Sequence, residues 1–150
     1  NGQEGILMSD TSRYRIKQLS IFSENRPNRL GAVAKVLKEG SINILGFSIA
    51  EGAGYGVIRV LVDRPDLAKD LLTEAGFVVK FTEVLAIRME DRPGGLYDLT
   101  ERMKDINIEY GYGYRNPPYA VLIVRVEDIE KGIRSLLAGG LDLLDNVNFH

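Results

Sequence analysis

The sequence predicts an α+β protein made of two tandem ferredoxin-like βαββαβ domains, each an antiparallel sheet with its helices on one face, paired side by side. Three observations predict it. The chain repeats itself in register, each repeat runs through the same order of strand-type and helix-type apolar periodicity, and 150 residues suit two small domains.

Glu24-Asn25-Arg26-Pro27-Asn28-Arg29-Leu30 recurs as Glu90-Asp91-Arg92-Pro93-Gly94-Gly95-Leu96, an offset of 66 (92 − 26). Ile42-Asn43-Ile44 recurs as Ile106-Asn107-Ile108, an offset of 64 (106 − 42). Val62-Asp63 and Ala75-Gly76 match Val126-Glu127 and Gly139-Gly140 at the same 64. One two-residue length difference, between Leu37 and Ile42, accounts for both offsets. The repeats divide the chain into domains at 12–82 and 83–150.

The first repeat opens on a strand in which Leu19 and Ile21 alternate with Gln18 and Ser20. Leu30, Val33, Ala34 and Leu37 then share one helix face. Pro27 precedes that helix, where its missing N–H costs nothing. Ile44–Glu51 and Gly56–Asp63 read as strands around a Gly52-Ala53-Gly54 turn. Asp63 is expected to cap a helix with Pro65 in its first turn, Leu67, Ala68, Leu71, Leu72 and Ala75 buried, and Gly76 as its stop. Phe77–Phe81 begins the last strand. The second repeat follows with Leu85 and Ile87; Leu96, Leu99, Thr100 and Met103; Ile108–Tyr114 and Tyr119–Val126 around Asn116-Pro117-Pro118; Ile129, Ile133, Leu136 and Leu137; and Leu141–Leu144. Right-handed crossovers place both helices of a repeat on one sheet face. The other face is half apolar, with Val57, Arg59 and Leu61 in one repeat and Val121, Ile123 and Arg125 in the other. That pattern predicts at least a homodimer.

Composition narrows the function. Hydrophobic residues are 45% and charged residues 27%, and the net charge of −2 disfavours phosphate-backbone binding, so no nucleic-acid partner is expected. With no cysteine there is no disulfide, thiolate nucleophile or sulfur-ligated metal. No apolar run approaches the roughly 18 residues of a membrane span, and no secretory pattern opens the sequence, so the expected site is cytoplasmic, with no membrane partner. Met8 is a candidate natural start, and residues 1–11 stay out of the fold argument. His150, the single histidine, is assigned no role. Catalytic residues, metal ligands and cofactors are all expected to be absent.

The strand-to-helix junctions, with their Arg26-Pro27 and Arg92-Pro93-Gly94-Gly95-Leu96 steps, and the repeated Asn-Ile at Asn43 and Asn107 resemble the signature of ACT domains. The likeness covers about residues 14–147 and is similar to the regulatory domain of phosphoglycerate dehydrogenases. Two features depart from it: Asn28-Arg29 with Gly31 replaces the glycine step in the first repeat, and Met89 stands at a commonly polar position in the second. The resemblance implies a non-enzymatic regulatory protein that binds an amino acid at the interface of two such domains and acts on an enzyme or transporter. It implies ligand-binding roles for Ser23, Asn25, Asn28, Leu30, Asn43, Met89, Asp91, Gly94, Gly95, Leu96 and Asn107. It further implies one site joining Ser23 and Asn25 to Asn107 and another joining Met89, Asp91 and the Gly94-Gly95 backbone to Asn43.

Physical chemistry supports parts of this. A helix N-terminus suits a carboxylate, glycine lets a ligand reach the backbone, and Asp91 or Asn25 can accept from an ammonium group. Each residue also has a plainer reading: capping for Asp91 and Asn25, turn geometry for Gly94 and Gly95, backbone satisfaction for Asn43 and Asn107. Arg26 and Arg92 read as solvent-facing or ion-paired, and Tyr110, Tyr112 and Tyr114 as sheet packing. The alternative functions are an RNA-binding protein with RRM-like domains and a ligand-free interaction module. Ala53-Gly54-Tyr55-Gly56-Val57-Ile58-Arg59-Val60 resembles the RRM octapeptide, but Val57 and Val60 replace its stacking aromatics.

Overall fold

The computed structural model describes residues 11–52 and 54–147. Met8, Ala53 of the first expected turn and His150 lie outside the described residues. The chain divides into two compact units, Lys17–Thr82 and a second formed by 83–147 together with 11–16. Residues 12–16, expected with the first repeat, thus group with the second, where Tyr14 packs against the core.

In the first unit, β1 (Ile16–Glu24) is followed by α1 (Arg29–Glu39), β2 (Ile44–Gly52), β3 (Tyr55–Val62) and α2 (Pro65–Glu74), then the start of β4 (Val78–Glu90). The strand order is β2-β3-β1-β4, with β3 antiparallel to both β1 and β2. Leu19 and Ile21 alternate inward as their period requires, meeting Val33 and Leu37 of α1, Ile58, Val60 and Val62 of β3, and Ala68 and Leu72 of α2. Burial of such side chains contributes about 1.5–3 kcal/mol each.

Two helix expectations need correction. The α2 stripe is narrower than expected, because Leu67 and Ala75 are exposed. Leu67 lies about 100° around the helix from Ala68, and Ala75 is the residue past the last turn. Asp63 does not cap α2 either. Arg64 occupies the cap position without a capping bond from its side chain, which donates instead to the Gly40 and Ser41 carbonyls, while the Asp63 carboxylate accepts from the Asn43 N–H at 3.1 Å.

The last strand of the first repeat and the first strand of the second are one uninterrupted β4 of 13 residues. Thr82-Glu83-Val84 supply no turn residue to break it.

The second unit continues from residues 83–90 of β4 through α3 (Gly95–Glu101), β5 (Ile108–Asn116), β6 (Tyr119–Val126), α4 (Ile129–Ala138) and β7 (Asp142–Leu143). Its strand order is β5-β6-β4-β7, all antiparallel. Leu85, Ile87, Leu99, Met103, Val124, Val126, Ile133 and Leu136 form its core. Helix α3 has seven residues where α1 has eleven. The Thr100 hydroxyl donates to the Tyr97 carbonyl at 2.9 Å, and Arg102 and Met103 donate to carbonyls three residues back, so the helix tightens and stops. Only Leu99 and Met103 of its expected face are buried, Leu96 being 51% exposed. Asp128 caps α4, accepting from the Lys131 N–H at 3.1 Å, and Leu137 of the expected stripe is exposed. The expected strand 141–144 is paired only at Asp142–Leu143.

On the faces opposite the helices, Leu61, Val121 and Ile123 are already buried in the single chain. The apolar surface that motivated a homodimer is therefore not open there. Exposed apolar side chains sit instead on edge strand β2, where Phe47 and Ile49 are 51% and 56% exposed. Tyr110, Tyr112 and Tyr114 are partly buried on β5, and burial raises the Tyr114 hydroxyl above its usual pKa. Among the described residues no helix is long and apolar enough to cross a membrane.

Candidate functional site

The two strand-to-helix loops solve one geometric problem with different residues. Helices α1 and α3 both need a left-handed residue at their N-caps. Gly94 supplies it with φ 85°, and Asn28 supplies it with φ 66°. Asparagine is among the few side chains that enter this region readily, so the first repeat's departure from glycine leaves the turn intact.

The next position differs more. A Cβ on Gly95 would lie 2.5 Å from the Glu90 carbonyl oxygen, so the second loop admits only glycine without a backbone shift. The first loop carries Arg29 there. Its Nε–H donates to the Ser23 hydroxyl at 2.6 Å, and its guanidinium sits 4.8 Å over the Phe77 ring. Gly31 has a reason too, since a Cβ on it would overlap the Asn28 carboxamide oxygen.

In the first unit Ser23, Asn25, Asn28 and Leu30 surround one cavity of about 200 Å³. Arg29, Ile49, Gly56 and Ile58 complete much of its wall. Arg29 has no carboxylate partner among the described residues, and no side chain caps α1, so its first-turn N–H groups lack a side-chain acceptor. Asn25 is anchored through its backbone, donating to the Gly54 carbonyl at 3.4 Å, which leaves its exposed carboxamide available. The cavity therefore combines a cation, amide oxygens and an apolar wall. It is smaller than the ~300–1,000 Å³ of drug-sized pockets, which suits a ligand of few atoms.

In the second unit the expected residues disperse. Met89 and Gly95 line a cavity of about 270 Å³ with Arg88, Glu90, Arg92, Asp98, Leu99, Arg102 and Asp142. Asp91, Gly94 and Leu96 are not part of that lining. The Asp91 carboxylate accepts from Arg115 Nε at 2.7 Å. Arg92 donates to Glu90 and to Asp98, both at 2.6 Å, and these bonds raise its pKa above the usual guanidinium value.

Asn43 and Asn107 lie beyond the C-terminal ends of α1 and α3, away from their own unit's strand-to-helix loop. For α1 that separation is roughly 16 Å of helix. Both asparagines make matching bonds. The Asn43 carbonyl accepts from the Asp63 N–H and the Asn107 carbonyl from the Glu127 N–H, each at 3.2 Å, and Asn107 Nδ2 donates to Glu127 Oε2 at 3.3 Å. Sequence reasoning missed Arg29, Ile49, Ile58 and Arg115. The mismatch of Arg29 with Gly95 between the repeats was the available signal for the first.

Two four-stranded sheets of order 2-3-1-4, each with two helices and a left-handed turn before the first, are the arrangement expected of a pair of ACT domains. The chain belongs to the ACT domain pair family, which it matches over residues 14–150. It is similar to the crystal structure of protein BT0572 from Bacteroides thetaiotaomicron, at 34% identity and TM-score 0.84, covering 91% of this chain and 96% of that one. The ligand-free regulatory subunit of aspartate kinase from Thermus thermophilus shares the fold at 14% identity and TM-score 0.57, over 85% of this chain and 95% of that one. The fold also recurs in E. coli aspartokinase III in complex with lysine and aspartate, at 18% identity and TM-score 0.50, over 83% of this chain and 31% of that one. No curated protein matches.

Proposed function

We propose that the chain is a non-enzymatic, cytoplasmic regulatory protein that binds a free amino acid in the loop cavity of the first unit and passes that binding to a partner enzyme or transporter. One observation carries the reading: a single small cavity brings together Arg29, Ser23, Asn25, Asn28 and the aliphatic Leu30, Ile49 and Ile58. Arg29 and the uncapped first turn of α1 suit a carboxylate. The oxygens of Ser23, Asn25 and Asn28 suit an ammonium group, and the apolar wall takes a side chain. Regulation by amino acids is consistent with the relatives, one a regulatory subunit and one an aspartokinase holding lysine and aspartate.

A thermal-shift screen of the amino acids tests it. A ligand that binds only the folded state adds RT ln(1 + [L]/Kd), about 2.7 kcal/mol at a hundredfold excess over Kd. At least one amino acid is expected to raise the melting temperature in wild type and to do so much less in Arg29→Gln. A flat screen refutes the reading and favours the ligand-free interaction module.

A further inference from the structure

Helix α2 ends in a turn that carries the next residue to a fixed place. The Gly76 N–H donates to the Thr73 carbonyl and the Phe77 N–H to the Leu72 carbonyl, both at 3.0 Å, the paired bonds of a glycine-closed helix end. Phe77 then packs against the core of the first unit, which holds its ring from behind. The Arg29 guanidinium lies over that ring at 4.8 Å. Phe77 is not in the wall of the loop cavity. It lines the neighbouring hollow, and Arg29 belongs to both.

Stacking and hydrogen bonding use an arginine in different directions. The ring attracts the flat face of the cation, whereas the N–H donors radiate in its plane. Arginine has five such donors. The Arg29 Nε–H goes to the Ser23 hydroxyl at 2.6 Å, and among the described residues its Nη–H groups meet no acceptor. Ser23 thus fixes one corner of the fork and Phe77 fixes its plane. The Nη–H groups stay open for the twin bonds that a carboxylate takes. A side chain ordered in advance spares the ligand the cost of ordering it.

The second repeat is an internal control. Its second helix closes with the same two bonds, from the Gly140 N–H to the Leu137 carbonyl and from the Leu141 N–H to the Leu136 carbonyl, both at 3.0 Å. The backbone is alike, but the residue it delivers is Leu141, and Met89 and Gly95 stand where the first repeat has Ser23 and Arg29. Ring, hydroxyl and cation are present together in one copy and absent together in the other. A ring needed for the core alone has no reason to follow the cation.

We infer that Phe77 is a positioning residue for Arg29: with Ser23 it holds the guanidinium fork in the orientation that meets a carboxylate in the loop cavity, an inference that rests on reading that cavity as an amino-acid site. Phe77 touches no ligand and acts only through Arg29.

The test is an NMR titration of the isotopically labelled full chain with an equal mixture of the proteinogenic L-amino acids, in wild type, Phe77→Leu, Phe77→Tyr and Arg29→Lys. Phe77→Leu copies the second repeat at this place, and Phe77→Tyr keeps the ring. Without ligand, the Arg29 Hδ and Hε resonances are expected upfield under the ring current in wild type and Phe77→Tyr, and at ordinary arginine positions in Phe77→Leu. The titration midpoint at the Ser23, Asn25 and Asn28 amides is expected to rise about fivefold to tenfold in Phe77→Leu, the size of a cation–π contact, and to stay within about twofold of wild type in Phe77→Tyr. Arg29→Lys keeps the charge but has no plane to stack, and is expected to bind at least as weakly as Phe77→Leu. A wild-type midpoint in Phe77→Leu or in Arg29→Lys, or an equal rise in Phe77→Tyr, would overturn the role of the ring. Arg29 resonances that do not differ between wild type and Phe77→Leu would do the same. In each of those cases the wild type still titrates and the loop-cavity reading stands. A wild type that does not respond to the mixture would overturn that reading, and this role with it.

Discussion

Replacing Gly95 by alanine sets a methyl group against a backbone atom that has nowhere to rotate. The new Cβ would lie 2.5 Å from the Glu90 carbonyl oxygen, about 1 Å inside an ordinary carbon–oxygen contact. Either the end of β4 or the first turn of α3 must move. Overpacking of this kind costs about 1–3 kcal/mol, against a helix-propensity gain below about 1 kcal/mol at a first helical position. The expected net loss is about 1–2 kcal/mol. Gly31→Ala is the matched control, because the atom in its way ends the exposed, rotatable Asn28 side chain. It should be neutral or slightly stabilising, yet should weaken ligand binding by turning Asn28 out of the cavity. At Gly94, with φ 85°, alanine should cost about 1–2 kcal/mol, while asparagine should be tolerated as Asn28 is. Urea unfolding followed by circular dichroism gives the order. If Gly95→Ala is as stable as Gly31→Ala, the steric account of the second loop is wrong, and that glycine is kept for some other purpose.

Three further outcomes are expected. Glu130 accepts from Arg15 and Arg134, which hold its carboxyl below the usual carboxylate range, so its contribution is present at neutral pH and lost as pH falls through and below that range; Glu130→Gln should flatten the acid side of the melting curve, and an unchanged slope contradicts this. Asp91 is held by Arg115 and lines neither cavity, so Asp91→Ala should leave amino-acid affinity nearly unchanged, and a loss of about 1.4 kcal/mol (tenfold) or more would contradict the placement of binding in the first unit's loop cavity. The exposed Phe47 and Ile49 on edge strand β2 lead us to expect a homodimer, and sedimentation showing only monomer at high micromolar concentration, with or without ligand, removes that expectation.

The repeat made the architecture legible, because two copies of one pattern constrain each other. Leu19 with Leu85 and Ile21 with Ile87 marked the inward face of both first strands, and all four are buried. The signal weakened wherever an element was set by a single local bond. Asp63, drawn to the Asn43 N–H, stands one position before the cap that Arg64 occupies, whereas Asp128 aligns with Arg64 in the repeat and does cap its helix. Thr100 looked like a place on a helical face until its hydroxyl took the Tyr97 carbonyl. The loop residues of the first site were legible as a group since Ser23, Asn25, Asn28 and Leu30 are close in sequence. Ile49 and Ile58 were not, because only the pairing of β2 with β3 brings them to the same cavity.

Arg29 and its loop are proposed to bind an amino acid. Isothermal titration of the amino acid picked out by the thermal screen, into wild type and Arg29→Gln, tests it most directly. Among the described residues the Arg29 side chain bonds the Ser23 hydroxyl and stacks on Phe77, so its loss should leave the fold in place while removing the carboxylate contact. An affinity at least about tenfold lower is expected in the variant, equivalent to about 1.4 kcal/mol or more. Equal affinity in the two proteins, with the variant folded, would contradict it.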